Sequence, residues 1–226
     1  MIDIENGSAI LIDKPYTWTS FQVVKKIKYK ISHHYGKKIK IGHAGTLDPL
    51  ATGLLIICIG KYTKRIEEFQ NTDKEYTGSF TLGATTPSFD LEHPIDQTFP
   101  IEHITPESIS DTSKQFIGIQ DQVPPLFSAK WVDGKRAYKL ARENQVVELK
   151  PKEIEIKEFE ITSIEMPVVN FRIVCTKGTY IRSIARDFGL SLNSGAYLSS
   201  LCRTRIGDFH IEDATKIEDI ETLLLP

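Results

Sequence analysis

The sequence predicts an α+β fold in which a mixed, largely antiparallel central sheet is flanked by helices. Some segments alternate apolar and polar residues as strands do, and others repeat apolar residues at helical spacing. The two kinds are interspersed without the regular alternation of βαβ units, which favours α+β over α/β. The 226 residues, 40% hydrophobic and 26% charged, are typical of a folded domain and exclude disordered and collagen-like classes.

The first half of the chain contains three clear elements. Residues 10–12 are apolar and precede Asp13-Lys14-Pro15, which predicts a strand ended by a proline turn. Thr19 or Ser20 then caps a helix with apolar residues at helical spacing, namely Phe21, Val24, Ile27 and Ile31. A glycine-rich loop over residues 42–49 leads into an apolar strand at residues 54–59.

The remaining elements follow from alternation and from capping residues. The predicted helices cover residues 63–69, residues 105–116 with Thr105 as cap, residues 137–142, and residues 180–188 with Gly189 as the stop. The predicted strands carry Tyr76, Phe80 and Leu82 on one face, then Ile154 and Ile156, then Phe171, Ile173 and Cys175.

The sequence also limits the compartment and the kind of site. The N-terminus carries acids where a secretory signal has Lys or Arg, and the longest aliphatic run is far shorter than the ~20 residues that span a bilayer. We therefore predict a cytoplasmic protein with no membrane partner. Three widely separated cysteines argue against a disulfide framework and against a C-x-x-C metal site.

Charge is distributed unevenly along the chain. Between Phe21 and Leu47 there is no Asp or Glu, and the same stretch contains seven lysines, whereas residues 86–113 carry six acids and no Lys or Arg. A basic segment on a near-neutral protein is typical of a polyanion partner such as a nucleic acid. A lysine-rich, solvated helix face is the plainer interpretation, and charge alone does not decide between the two.

Four residues are candidates for chemistry. Asp48 precedes a proline in the glycine-rich loop and is either a turn initiator or a carboxylate facing a cleft. His43 is either a packing histidine or a contact residue, Arg182 either a surface arginine or an anion partner, and Tyr76 either a core or an active-site residue. Phosphate-loop, dinucleotide, H-E-x-x-H and G-x-S-x-G signatures are all missing from the sequence.

The segment Gly42-His43-Ala44-Gly45-Thr46-Leu47-Asp48-Pro49-Leu50-Ala51-Thr52-Gly53-Leu54-Leu55 resembles the signature of the TruB-type tRNA pseudouridine synthases. Further similar motifs are Asp13-Lys14-Pro15 with Thr19-Ser20, Asp73-Lys74-Glu75-Tyr76, the thumb-loop residues 124–142, Lys177-Gly178-Thr179-Tyr180-Ile181-Arg182, and residues 195–203. Trp18, Pro87 and Trp131 depart from the family pattern. The resemblance implies one catalytic domain over residues 1–226, with no C-terminal PUA domain.

The same resemblance implies a pseudouridine synthase fold with an RNA-gripping thumb loop. The implied reaction is isomerisation of the uridine at position 55 in the T-loop of tRNA, without cofactor or metal, by a monomer that binds the T-arm stem-loop. The implied catalytic residues are Asp48, Tyr76 and Arg182. The implied binding residues are His43, Tyr76, Tyr180 and Leu201 for the substrate, and Lys37, Lys38, Lys40, Arg136 and Arg142 for RNA.

Two other functions are compatible with parts of the sequence. A non-catalytic RNA-binding protein or tRNA-folding chaperone would need the basic segment but not Asp48. A hydrolytic nucleosidase would also use carboxylates, but the sequence has no acid cluster suited to activating water or holding a metal.

Overall fold

The computed structural model describes residues 2–128, 131–132, 134–136, 140 and 149–224. The chain forms two compact units, unit 1 (Met1–Thr77 with Leu201–Pro226) and unit 2 (Gly78–Ser200). None of the described helices is long and apolar enough to cross a membrane.

The described elements alternate irregularly between strand and helix. In chain order they are β1 (Ser8–Lys14), α1 (Ser20–His34), β2 (Ile41–His43), β3 (Thr52–Ile59), α2 (Ile66–Gln70), β4 (Lys74–Leu82), β5 (Ala84–Thr85), β6 (Gln97–Thr98), α3 (Pro106–Gln115), β7 (Gly118–Gln122), β8 (Trp131–Val132), β9 (Lys135–Arg136), β10 (Lys152–Glu165), β11 (Val168–Cys175), α4 (Ile181–Ser191), β12 (Ala196–Ile206), β13 (Phe209–His210) and β14 (Thr215–Lys216). Short 3-10 helices cover Gly60–Arg65, Ile211–Asp213 and Ile217–Leu224. This arrangement confirms the predicted α+β class.

Unit 1 is built on a mixed sheet. Strand β1 pairs in parallel with β14 and antiparallel with β3, and β3 pairs antiparallel with β2. On the edge opposite β1, which β2 also occupies, β3 runs parallel to β12, with Thr52 opposite Cys202 and Gly53 opposite Arg203. The loop between β2 and β3 therefore lies at the end of the central strand of this unit.

Helix α1 is the predicted basic helix. Its capping box is complete, because the Thr19 hydroxyl accepts from the Gln22 amide at 3.1 Å and the Gln22 side chain accepts from the Thr19 amide at 2.7 Å. Apolar residues at helical spacing pack on the sheet of unit 1, and they are Val23, Val24, Ile27 and Ile31. The lysines are therefore left on the other faces of the helix, as predicted. Phe21, which the prediction included in the apolar set, is instead 71% exposed, and Val23 is buried.

Unit 2 has the strand order β4-β11-β10-β7, and β10 is antiparallel to both β11 and β7. Its core is aromatic. The rings of Phe80 and Phe171 lie 4.2 Å apart between centroids, and Phe188 of α4 lies 5.6 Å from Phe159. These contacts fix α4, which carries Arg182 in its first turn.

The prediction that Gly189 ends the last helix is wrong, because α4 continues through Ser191. Gly189 is buried inside the helix, where a Cβ atom would overlap the backbone nitrogen of Ala196. The glycine is needed for close approach of two chain segments rather than for a left-handed stop. The chain instead turns at Asn193, which has a φ of 53°.

We expect Gly189→Ala to lower the free energy of unfolding by about 2–3 kcal/mol, since the added methyl group displaces backbone. Helix propensity alone predicts the opposite sign, a gain of about 1 kcal/mol. Urea denaturation measures the change. Leu190→Ala is the matched control, because Leu190 is exposed on the same helix and its replacement should change stability by less than about 0.5 kcal/mol. A stabilised Gly189→Ala protein would contradict the close-approach explanation.

The sequence-predicted helix over residues 137–142 lies outside the described residues apart from Leu140. Strand β12, by contrast, is described in full and was not predicted, because its buried residues do not follow a strict two-residue alternation.

Candidate active site

Asp48 lies in the turn between β2 and β3. The Ala51 amide donates to the Asp48 carbonyl at 3.1 Å, so Asp-Pro does form a turn, as the plainer interpretation of the sequence predicts. The Asp48 side chain is partly buried. Upstream, the Ala44 amide donates to the Ile56 carbonyl at 2.9 Å, which joins the start of the loop to β3. The loop is therefore fixed at both ends.

The first residue of α1 holds the residue next to Asp48. The buried Ser20 hydroxyl accepts from the Leu47 amide at 2.9 Å and lies 3.2 Å from the Leu47 carbonyl, to which it donates. Both polar groups of the Leu47 backbone are thus satisfied by one side chain. This contact positions the Asp48 turn relative to the N-terminal end of α1.

Lys14 is a fully buried lysine beside the same turn. Its Nζ donates to the backbone carbonyls of Pro15, Trp18 and Pro49 at 2.9, 2.6 and 3.4 Å. Burial lowers the pKa of Lys14 to about 8, the Asp48 carboxylate opposes this fall, and the Arg203 guanidinium adds to it. At neutral pH the lysine is still a cation, so a positive charge lies next to Asp48.

Arg203 is a second buried cation, on β12. Its Nε donates to the Leu54 carbonyl at 2.8 Å and its Nη2 to the Gly45 carbonyl at 3.2 Å. At Gly53, where φ is 104°, a Cβ atom would lie 2.7 Å from the Arg203 backbone nitrogen. Glycine at this position therefore lets β12 approach β3 and brings the guanidinium to the loop.

His43 ends β2 and is partly buried, with its backbone paired opposite Ile57. Burial lowers the pKa of His43, the Gly45 backbone opposes this effect, and the Arg203 charge adds to it. The imidazole is therefore neutral at pH 7 and suited to hydrogen bonding or stacking rather than to neutralising phosphate.

The other predicted substrate residues of unit 1 lie on its strands. Tyr76 is a buried residue of β4, and Leu201 is a partly buried residue of β12 whose carbonyl accepts from the Thr52 hydroxyl at 3.4 Å. The predicted RNA-binding lysines Lys37, Lys38 and Lys40 are exposed in the segment after α1. Unit 1 thus contains Asp48, His43, Tyr76, Leu201 and these lysines.

Arg182 lies in unit 2 and is buried, so the surface interpretation is wrong. Its Nε lies 3.7 Å from the Asp90 carboxylate, and its Nη1 and Nη2 donate to the Ser88 and Phe127 carbonyls at 3.3 and 3.0 Å. Asp90 is buried too, and its carboxylate accepts from the Ser88 hydroxyl at 2.6 Å. The pairing of Arg182 with Asp48 stays a prediction.

Tyr180 immediately precedes α4. Its amide donates to the Gln122 side chain at 2.8 Å, and its carbonyl accepts from the same side chain at 3.1 Å. The side chain of Arg136 and the whole of Arg142, both predicted to bind RNA, lie outside the described residues.

Three buried charged residues were missed as site candidates from the sequence: Lys14, Arg203 and Asp90. Lys14 had a usable signal, because it continues the face of β1 that carries the buried Ile10 and Ile12. Asp90 had no such signal in the sequence, since it lies in an acidic segment in which apolar and polar residues do not alternate regularly. Among the described residues, no group of three His, Cys, Asp or Glu side chains is placed to hold a metal ion.

Sequence comparison matches the chain to a known protein family. The family model described as TruB family pseudouridylate synthase (N terminal domain) matches residues 32–181. The tRNA pseudouridine synthase B of Phocaeicola vulgatus is 56% identical over 218 residues, covering 96% of this chain and 93% of that protein. That of Flavobacterium johnsoniae is 56% identical over 220 residues, covering 96% of each.

The fold of this chain is similar to those of solved structures. A chain in the crystal structure of a Cbf5-Nop10-Gar1 complex matches with a TM-score of 0.72 and 29% identity over 96% of this chain. A chain in the structure of an H/ACA RNP bound to a substrate RNA containing 2′-deoxyuridine matches with a TM-score of 0.68 and 26% identity, also over 96% of this chain. The chain spans about half the length of these two proteins, 54% and 53% respectively.

Proposed function

This chain belongs to the TruB family of pseudouridylate synthases, and on that premise we propose that it isomerises the uridine at position 55 in the T-loop of tRNA to pseudouridine. The observation that carries the proposal is the Asp48 turn, in which one carboxylate is held by fixed backbone contacts next to the buried Lys14 cation. The high identity to proteins named tRNA pseudouridine synthase B supports tRNA as the substrate.

The reaction needs one well-placed carboxylate and no net redox change. The bond from C1′ of the ribose to N1 of the base breaks, the base turns, and C5 bonds to C1′. C5 loses its hydrogen and N1 gains a proton, so the product is an isomer of the substrate. A carboxylate can add to the ribose or base as a nucleophile and then leave, or assist the removal of the proton. We assign this role to Asp48.

The target base must leave the stacked T-loop before Asp48 reaches it. Extrusion of a base costs a few kcal/mol, and aromatic stacking offsets this by about 1–3 kcal/mol per base. We assign stacking to Tyr76, lining of the pocket to Tyr180 and Leu201, and contact with the rearranged RNA loop to His43.

Two variants of Tyr76 separate stacking from proton transfer. If stacking alone matters, Tyr76→Phe keeps most of the single-turnover rate, while Tyr76→Leu loses about tenfold or more. Equal loss in both variants would implicate the hydroxyl in proton transfer. The rate is measured by tritium release from [5-³H]uridine-labelled tRNA. Wild-type rates in both variants would remove Tyr76 from the site.

RNA binding is assigned to the exposed lysines Lys37, Lys38 and Lys40, together with Arg136 and Arg142. We propose the T-arm stem-loop as the part of tRNA that these residues bind. The RNA-bound structural relative supports RNA as the partner class. We further propose a single catalytic domain over residues 1–226 that acts as a monomer in the cytoplasm.

The test is incubation of the purified protein with an unmodified tRNA transcript, followed by mapping of pseudouridine by carbodiimide modification and primer extension. We expect pseudouridine at position 55 with the wild-type chain and none with Asp48→Asn. A transcript that stays unmodified, or one modified only elsewhere, would refute the proposed activity. Correct tRNA folding promoted equally by both proteins, without modification, would instead support the tRNA-folding chaperone.

A further inference from the structure

The solvent face of α1 carries a regular row of aromatic and basic side chains. Phe21, Lys25, Tyr29 and His33 follow one another at four-residue steps, and residues at this spacing lie on one face of a helix. All four are exposed, as is the neighbouring Lys28. We call these five residues the α1 ridge.

The aromatic members of the α1 ridge are largely exposed to solvent. Phe21 is 71% exposed and Tyr29 is 68% exposed. The rings of Tyr29 and His33 are stacked, with centroids 6.1 Å apart and an interplanar angle of 26°. Single exposed apolar side chains are ordinary on protein surfaces, but flat rings aligned with lysines form a surface suited to base stacking.

The charge and the apolar pattern of α1 favour a polyanion over a lipid surface. No Asp or Glu occurs between Phe21 and Leu47, so no acidic side chain of this segment competes for Lys25 or Lys28. A lipid surface would require a broad apolar face, whereas the apolar residues of α1 at positions 23, 24, 27 and 31 are buried in the core of unit 1.

The α1 ridge begins beside the proposed catalytic loop. Ser20, the residue before Phe21, binds both polar groups of the Leu47 backbone, and Lys14 links the Trp18 and Pro49 carbonyls. From Phe21 to His33 the helix rises about 18 Å. RNA that places its uridine at Asp48 therefore has the near end of the ridge beside it, and the far end lies well beyond one flipped nucleotide.

We propose that the α1 ridge is a second RNA-binding surface, which stacks unpaired bases of the substrate tRNA outside the stem-loop that carries the target uridine. This inference rests on the proposed function for the identity of the RNA. Aromatic faces stack only on bases that are free of a duplex stack, and interleaved lysines neutralise the phosphates between such bases. Unpaired bases outside the T-arm are present in whole tRNA and absent from the isolated T-arm, so a comparison of these two RNAs tests the proposal.

The test compares the binding of two RNAs to the double variant Phe21→Ala/Tyr29→Ala. Fluorescence anisotropy at fixed salt measures the Kd. For a whole tRNA transcript the Kd is expected to rise at least about tenfold, because the stacking energy of one base corresponds to about that factor. The Kd for the isolated T-arm stem-loop is expected to rise clearly less than that for whole tRNA, because only Phe21, at the near end of the ridge, lies beside the target loop. Leu190→Ala, which removes an exposed apolar side chain from a helix of unit 2, is the matched control and should leave both values unchanged.

Three further double variants identify the kind of interaction. Phe21→Trp/Tyr29→Trp should keep wild-type affinity for whole tRNA, while Phe21→Leu/Tyr29→Leu should bind as weakly as the alanine variant, because only aromatic faces stack on bases. Lys25→Gln/Lys28→Gln should make the plot of the logarithm of the binding constant against the logarithm of salt concentration less steep. Its slope should change by about 0.7–0.9 for each phosphate that the protein no longer neutralises.

Three results would overturn the inference: an unchanged Kd for whole tRNA in the alanine variant, an equal loss for the stem-loop, or full affinity in the leucine variant. The first points to a partner of another class and the second to the T-arm itself. Failure of the proposed function can be distinguished from failure of this inference. The first appears as absence of pseudouridine with the wild-type chain, whereas the second is decided by the Kd values of the variants.

Discussion

Asp48→Asn is expected to abolish pseudouridine formation, with the single-turnover rate falling on the order of 10⁴-fold or more, because the amide neither adds to carbon nor accepts a proton at neutral pH. The fold of the loop should survive. The turn is closed by the Ala51 amide on the Asp48 main-chain carbonyl, and Ser20 holds the neighbouring Leu47 backbone. Tritium release measures the rate, and binding of tRNA by anisotropy should stay within about twofold of wild type.

The same variant has a second readout that does not depend on activity. The Asp48 carboxylate is the largest of the effects that oppose the lowered pKa of Lys14, so its loss should move that pKa from about 8 to a lower value. Lysine side-chain NMR measures the shift. Asp13→Asn is the matched control, because Asp13 acts on Lys14 in the same direction but more weakly, and it should lower the pKa less.

The free energy of unfolding should also depend on the protonation of Lys14. The folded pKa of Lys14, about 8, lies below its value of 10.5 in the unfolded chain, so the unfolded chain binds more protons between these two pH values. The Lys14 contribution to the free energy of unfolding therefore rises as pH increases from about 8 to 10.5, and in Asp48→Asn this rise begins at lower pH. An unchanged Lys14 pKa together with wild-type turnover would remove Asp48 from the centre of the site.

Local signals in the sequence were sufficient for the elements that frame the site. The Thr19 capping position and the apolar spacing of α1 predicted that helix, and the apolar run at residues 54–59 predicted β3. The interval between them, with its glycines and Asp48-Pro49, has the composition of a loop and forms one. Local propensity, capping and hydrophobic pattern all agree in this part of the chain.

The buried charges could not be predicted in the same way, because their partners are distant in sequence. Lys14 is satisfied partly by the Pro49 carbonyl, and Arg203 by the carbonyls of Leu54 and Gly45. Carbonyl acceptors carry no sequence signature, since every residue has one. Gly189 was misjudged for a similar reason, because its role depends on the approach of Ala196 rather than on its own helix end.

Arg182→Ala is expected to lose both activity and stability. The guanidinium is buried with Asp90 and also donates to the Ser88 and Phe127 carbonyls, so its removal leaves a buried carboxylate without this cation. Breaking a buried ion pair from one side costs about 3–5 kcal/mol. Urea denaturation should show a loss of this size. Arg182→Lys should recover part of it, because a point charge restores the attraction to Asp90 but not the planar fork of donors.

The double variant Arg182→Ala/Asp90→Ala separates the ion pair from the chemistry. The double variant removes the buried Asp90 carboxylate together with the guanidinium that pairs with it, so stability should recover relative to Arg182→Ala alone, and the cycle should give a coupling of about 1–3 kcal/mol. Activity should not recover, because the positive charge predicted to act on Asp48 is still missing. If the double variant regained turnover along with stability, Arg182 would serve only to pair with Asp90, and Lys14 would be the cation on which Asp48 depends.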